Sequence, residues 1–351
     1  MMVRVLPVLI VISWFSAVPS FAQNAFRTTG AGGDWNVNTT WEVATSMAPY
    51  TWAAATAGQY PTALDTVYLE AGTTVTLTGD EAVADLHLNS TIDVIRLSTA
   101  DNTLDIHGRI RIYRDPAPGT MRSSSAGVQG WINTGTIGKL RFVGSESRYV
   151  VRKGEFGAKF ENANTTVEFA FTEGDTAYID ETVRFGNVTI TSGIVQVLDD
   201  HTFRPTEGTT RTGTNDGKLF IRSGATLIAG WGIYRNKHSG IDSLVVETGA
   251  TLAFTYQYPE LSVNHLIIEG TIELAGQDAT QLFPQTRGRF GATEVSTAST
   301  LRLSGSAIKT LSTTSFTVAN TLELAGTFSE VAENGYSFSA ANAALSYDFD
   351  Q

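Results

Sequence analysis

The segment Gly217–Leu227 can be laid on Asp242–Leu252 without a gap, and this self-similarity constrains the chain more than any other feature. Both read as two alternating apolar residues, a polar pair, Gly, then a second short strand. Leu219, Ile221, Gly224 and Leu227 fall on Leu244, Val246, Gly249 and Leu252. Alternation with a period of two places every second side chain on one face, so each half is a half-buried strand. Glycine at the bend allows the positive φ that a sharp turn between strands requires. The same unit recurs at Leu266–Leu274, Leu301–Gly305 and Leu322–Phe328, and upstream at Val67–Gly72 and Leu104–Ile112.

The first apolar residues of these units stand at 67, 86, 104, 140, 167, 188, 219, 244, 266, 301 and 322, a step of 18–25 residues with occasional longer ones. A single unit of this length cannot bury its own apolar face, so neighbours must stack. The longer steps point to insertions over 113–139 and 275–298, which carry Pro116, Pro118 and Pro284, or to a skipped coil in each. The predicted fold is all-β, a single-stranded β-helix or solenoid over 67–351. Its interior would hold Leu219, Ile221, Leu227, Leu244, Val246, Leu252, Leu266, Ile268, Leu301, Leu303, Leu322 and Leu324. Lys218, Arg222, Ser243, Glu247, Glu269, Arg302 and Glu323 would face solvent. A pair of β-sandwiches is the alternative, since it also gives short, evenly spaced strands. A sandwich has no reason to repeat one bend at fixed phase. One helical turn is predicted over 82–87.

Residues 1–22 read as a cleavable export signal. Arg4 is followed by an apolar run over Leu6–Val18 and then Ser20-Phe21-Ala22, with small residues at −3 and −1 of a cut after Ala22. The run falls short of the ~20 residues that span a bilayer. Residues 23–66 are aperiodic to Tyr60 and hold Trp35, Trp41 and Trp52, as expected of an N-terminal Trp-rich cap or wrapping segment. The chain has no cysteine, which excludes thiol chemistry and suits a bacterial envelope or extracellular protein. Its formal net charge of −11 argues against nucleic acid and anionic membranes as partners.

A specific pattern runs through the cap. It reads Asp34-Trp35 … Thr40-Trp41, then Tyr60-Pro61, then Asp65-Thr66-Val67-Tyr68-Leu69, then Gly72-Thr73-Thr74-Val75-Thr76-Leu77. It resembles the opening of many secreted repeat proteins of Bacteroidota-type bacteria, and distantly the glycine-rich extracellular domain that precedes β-helices in some hyaluronan-binding animal proteins. The resemblance covers about the first quarter of the chain after the signal. It implies right-handed β-helical repeats and a secreted or cell-surface protein, often adhesive. Such proteins usually end in a C-terminal sorting β-domain, whereas this sequence ends in an alternating segment over 344–351. A terminal strand with a free edge would permit end-to-end self-association.

Chemistry is sparse. Asp199, Asp200 and His201 are the best catalytic candidates, with Arg235, Lys237 and His238 further on. Paired carboxylates serve glycoside hydrolysis, and β-helical polygalacturonases use an Asp pair with His and Arg/Lys. The Gly-His-Gly of those enzymes is absent here, and Asp residues also suit the turn after a strand. Trp231, Tyr234, Tyr256 and Tyr258 fall on two neighbouring units and are the candidates for stacking on carbohydrate, with core or loop packing as the plain alternative. Asp101, Asn102 and Asp105, and Asn215 with Asp216, are the only groupings suited to Ca2+. They lack EF-hand or nonapeptide spacing, and the five histidines lack zinc spacing. The expectation is a secreted structural or adhesive protein. The alternative is a β-helix that binds or cleaves polysaccharide.

Overall fold

The computed structural model describes residues 24–30, 32–47, 49–70, 72–90, 96–98, 101–114, 139–152, 166–180, 183–185, 187–198, 202–205, 217–229, 232–233, 241–254, 260–261, 263–274, 300–303, 321–325 and 344–348. Among these the one helical piece is the 3-10 turn Asn38–Thr40. The predicted turn over 82–87 is instead two strands, Glu81–Val83 and Asp85–Ser90. The chain bends between them at Ala84, whose N–H donates to the Asp65 carbonyl, so that Val83 and Leu86 both point inward.

The longest sheet has eleven strands, all parallel. They run from Glu81–Val83 through Thr103–Ile106, Lys139–Gly144, Thr166–Phe171, Asn187–Ser192, Lys218–Ile221, Ile241–Val246, Val263–Ile268, Thr300–Leu303 and Thr321–Ala325 to Ala344–Asp348. One row of partners crosses this sheet at Leu104, Leu140, Val167, Val188, Leu219, Leu244, Leu266, Leu301, Leu322 and Leu345. From Leu104 to Leu322 these are the unit starts read from sequence, and Leu345 extends the row by one strand. A step of 21 residues and one of 35 therefore advance the chain by the same single strand. The difference is taken up in the connections.

A second parallel sheet holds Arg148–Val151, Thr176–Ile179, Ile194–Val197, Thr226–Ala229, Thr251–Phe254 and Thr271–Leu274. A third holds Val183–Phe185, Thr202–Pro205, Gly232–Ile233 and Glu260–Leu261. From Asn187 to Leu261 the chain visits the three sheets in turn and then returns to the first. The self-similarity at an offset of 25 residues is a register: Leu219 pairs with Leu244, and Leu227 with Leu252. Gly224 and Gly249 make the bend in each copy at φ 80°, a left-handed conformation open to glycine. The architecture is all-β, with open parallel sheets.

Alternation sends one row of each strand inward. Val83, Ile106, Phe142, Phe169, Ile190, Ile221 and Val246 form one fully buried row, and Val195, Leu227 and Leu252 another. Phe142 and Phe169 stack with ring centroids 5.1 Å apart. Burial of each large apolar side chain is worth about 1.5–3 kcal/mol, and each contact is repeated by the next strand. The outer face of the long sheet is polar at its start. Arg141 holds Asp105 through two 2.7 Å bonds, and Lys139 holds Glu168 at 2.7 Å. Of the predicted interior, Leu219, Ile221, Leu227, Leu244, Val246 and Leu252 are buried. The side chains of Leu266, Ile268, Leu301, Leu303, Leu322 and Leu324 lie outside the described set.

The two first units belong elsewhere. Val67 pairs with Leu86, and Leu86 with Ile110, in a separate six-stranded sheet, whereas Leu104 pairs with Glu81. The series of unit starts thus changes sheet between 86 and 104. This N-terminal sheet runs Ile110–Arg114, Asp85–Ser90, Thr66–Glu70 and Ala25–Thr28 in parallel, then continues antiparallel into the hairpin Trp41–Met47 and Tyr50–Ala54. A short parallel sheet of Gly32–Asp34, Thr74–Thr76 and Arg96–Ser98 lies beside it in the chain path. The motif residues converge beneath the hairpin. Trp35 and Trp41 are fully buried at 5.1 Å and T-shaped, and the Trp41 indole N–H donates to the Trp35 carbonyl at 2.6 Å. Trp35 donates to Pro61 at 3.4 Å. The buried Asp65 carboxylate accepts from the Asn24 and Thr62 backbone N–H groups and fastens the chain start to the first turn.

Candidate functional site

Because the inward rows are apolar, recognition falls to the outer faces. The N-terminal sheet presents one outward row across five strands: Glu42, Arg27, Tyr68, His87 and Arg111 are successive register partners. The residues beside them in each strand, Phe26, Val67, Leu86 and Ile110, form the matching inward row. Tyr68 is therefore outward because Val67 and Leu69 are core.

The hairpin adds two rings to this row. In Tyr50-Thr51-Trp52 the alternation puts Tyr50 and Trp52 on one side of the strand. Their rings stack at 5.3 Å with 25° between planes. Tyr68 meets both edge-on, at 5.8 Å from Tyr50 and 5.9 Å from Trp52. The Arg27 guanidinium lies over the Trp52 ring at 4.9 Å, and its Nε donates to Glu42 at 2.5 Å. Tyr50 is 42% exposed, and the Tyr68 hydroxyl reaches the Tyr50 hydroxyl at 3.4 Å. Exposed hydroxyls of Thr45, Ser46 and Thr51 are bonded among themselves on the same hairpin. The Arg27–Glu42 pair thus sets a donor and an acceptor beside the apolar ring surface.

His87 is the next residue of the outward row, on the far side of Tyr68 from Arg27. Its ring meets Tyr68 edge-on at 4.5 Å and is almost fully buried. Burial, and then the Arg111 charge alongside, depress its pKa to about 4, so the imidazole is neutral near pH 7. Asp85 follows on the same strand. Burial raises its pKa against the opposing pull of Arg111, Arg148 and Arg152. It accepts the Arg109 backbone N–H at 2.9 Å, a structural duty at the bend. Further along, Tyr149 and Tyr178 are register partners with rings 5.3 Å apart, and Arg152 lies over Tyr149 at 5.3 Å.

Most of the residues singled out from sequence lie outside the described set. Asp199, Asp200 and His201, and Arg235, Lys237 and His238, lie outside the described residues, as do Trp231, Tyr234, Tyr256 and Tyr258. Asn215 and Asp216 also lie outside them. Asp105 is engaged by Arg141, and the Asn102 side chain donates to the Leu77 carbonyl at 3.1 Å, so both serve the fold. Among the described residues no group of three or more His, Asp or Glu is placed to hold a metal ion. Sequence reasoning missed the aromatic cluster on the hairpin. Its signal is the phase of Tyr50 and Trp52, two residues apart, with Tyr68 in the outward phase of a strand whose inward residues are plain. No family model, curated protein or solved structure matches the chain.

Proposed function

We propose that the protein is an exported structural or adhesive element of the bacterial cell surface, built as a right-handed β-helix behind an N-terminal cap. The observation that carries this reading is the single row of partners from Leu104 to Leu345, repeated strand by strand. A rod of stacked turns gives length and outer surface for few kinds of residue, which is what a surface element needs. The right hand is supported by the preference of parallel strand connections, about 98% of which are right-handed. The signal-like residues 1–22 and the absence of cysteine support export.

The ends differ. At the N-terminal side the antiparallel hairpin covers the parallel strand Ala25–Thr28. At the other end Ala344–Asp348 pairs on one side with Thr321–Ala325, and among the described residues nothing pairs with its other side. An open strand edge favours addition of a further strand, so self-association through this end accompanies the structural reading. Protease shaving of intact cells, followed by light scattering of the purified protein, tests both parts. Protection of the protein inside the cell overturns the surface assignment. A monodisperse monomer at high concentration removes the self-association. A polysaccharide-directed role is the second reading, favoured by the outer aromatic cluster on the N-terminal sheet.

A further inference from the structure

We infer that the outer face of the N-terminal hairpin, formed by Tyr50, Trp52 and Tyr68 with the Arg27–Glu42 pair, binds a neutral polysaccharide through its sugar rings and adjacent hydroxyls. Sugar rings offer C–H faces to aromatic surface and hydroxyls to polar groups, and the cluster supplies both side by side. Tyr50 is the accessible ring. Its register places it at the far end of the hairpin strand from Arg27, with Trp52 between them, so the stack runs Arg27, Trp52, Tyr50 along the strand. Tyr68, edge-on to both rings, reaches them from the strand Thr66–Glu70 of the same sheet.

The polar half sets the ligand class. Arg27 donates its Nε to one oxygen of Glu42, and both side chains keep part of their surface exposed. A guanidinium accepts no proton and can only donate; a carboxylate can only accept. A pair of neighbouring hydroxyls both donates and accepts, and so satisfies both partners at once. The pair is also neutral as a unit. A uronate or sulfate drawn to Arg27 meets Glu42 alongside, at a like-charge cost. The formal charge of −11 on the whole chain adds to that discrimination.

The inference deepens the surface reading but is tested on purified protein, so its failure leaves localisation and architecture untouched. Native affinity electrophoresis of the full chain is run through gels containing galactomannan, xyloglucan or laminarin as neutral probes, and alginate or polygalacturonate as acidic ones. Retardation by at least one neutral probe and by neither acidic probe is expected. Tyr50→Ala weakens that retardation roughly tenfold, the scale of one aromatic stacking contact. Tyr50→Phe retains it, because the ring stays. Tyr149→Ala, which removes a comparably exposed ring elsewhere, leaves it unchanged. Melting curves of each variant separate a lost contact from a lost hairpin. Absence of retardation by every neutral probe overturns the inference, as does retardation that survives Tyr50→Ala. Stronger retardation by the acidic probes refutes the ligand class. Concentration-dependent self-association that Tyr50→Ala abolishes, without any glycan effect, assigns the face to a second copy of the chain instead.

Discussion

Gly193 and Gly224 each lie between a strand of the long sheet and one of the second sheet, both with positive φ, yet replacing each with alanine has a different expected cost. Gly193 has φ 74° and Gly224 φ 80°, so either alanine meets the left-handed penalty of about 1–2 kcal/mol. Alanine also stiffens the unfolded chain, which returns about 0.4–1 kcal/mol. For Gly224 nothing lies within 4 Å of the added Cβ, and the net loss is about 1 kcal/mol. For Gly193 the added Cβ falls 2.6 Å from the Phe171 Cβ and 3.1 Å from the Asp175 carbonyl oxygen. Phe171 is buried, so it has little room to give. Overpacking of this kind adds about 1–3 kcal/mol, bringing Gly193→Ala to a loss of about 3 kcal/mol. Urea unfolding followed by circular dichroism measures both, compared through midpoints at equal slope. Equal losses for the two variants, or a milder Gly193→Ala, would refute the close approach of successive turns at Phe171.

Other perturbations separate core from surface. Phe169→Ala removes one ring of the buried stack with Phe142 and is expected to lower stability by about 3–5 kcal/mol; Asp105→Asn breaks a two-bond pair on the outer face and costs no more than about 1 kcal/mol, both read by the same urea titration. His87 gives a pH signature. With a folded pKa of about 4 against the ordinary 6.5 of a histidine imidazole, the unfolded chain binds the extra proton first, so stability is lost as pH falls between these values. The full difference is roughly 3 kcal/mol. Asp85 and Glu81, whose pKa values are raised chiefly by burial, act in the opposite sense. The expected result is therefore a difference: His87→Phe flattens the fall in thermal midpoint between pH 6.5 and pH 4 relative to the parent chain.

Much of the long sheet was legible because its phase is written in apolar residues. Every unit start from Leu104 to Leu322 lies on one register row, and the 25-residue offset reappears as two sets of strand partners. The change of sheet between Leu86 and Leu104 was not legible. Both halves of a unit alternate in the same way, so texture alone does not say to which sheet a strand belongs. Residues 23–60 read as aperiodic, yet Ala25–Thr28 and Gly32–Asp34 pair in parallel with strands of the next turn. Their partners lie some forty residues away, and no local spacing announces them. The aromatic cluster escaped for a related reason: Arg27, Tyr50, Trp52 and Tyr68 sit on three strands, with the reversed strand Trp41–Met47 between that of Arg27 and that of Tyr50 and Trp52. Exposed rings in such a cluster look, one at a time, like ordinary outward positions.

The most direct test of the stacked architecture is a set of spin-label distances along one outward row. The cysteine-free chain allows labels to be placed freely. Asp105, Phe220, Ile267 and Glu323 lie on the row Asp105, Arg141, Glu168, Thr189, Phe220, Val245, Ile267, Arg302 and Glu323. With one label at position 105, partners at 220, 267 and 323 stand four, six and eight strands away by register. At ~4.8 Å per strand these correspond to about 19, 29 and 38 Å. Stacked turns give distances that rise in proportion to strand number, whatever the length of the intervening connections. Distances that level off or fall between 267 and 323 would contradict the stack and return the chain to separate β-sandwiches.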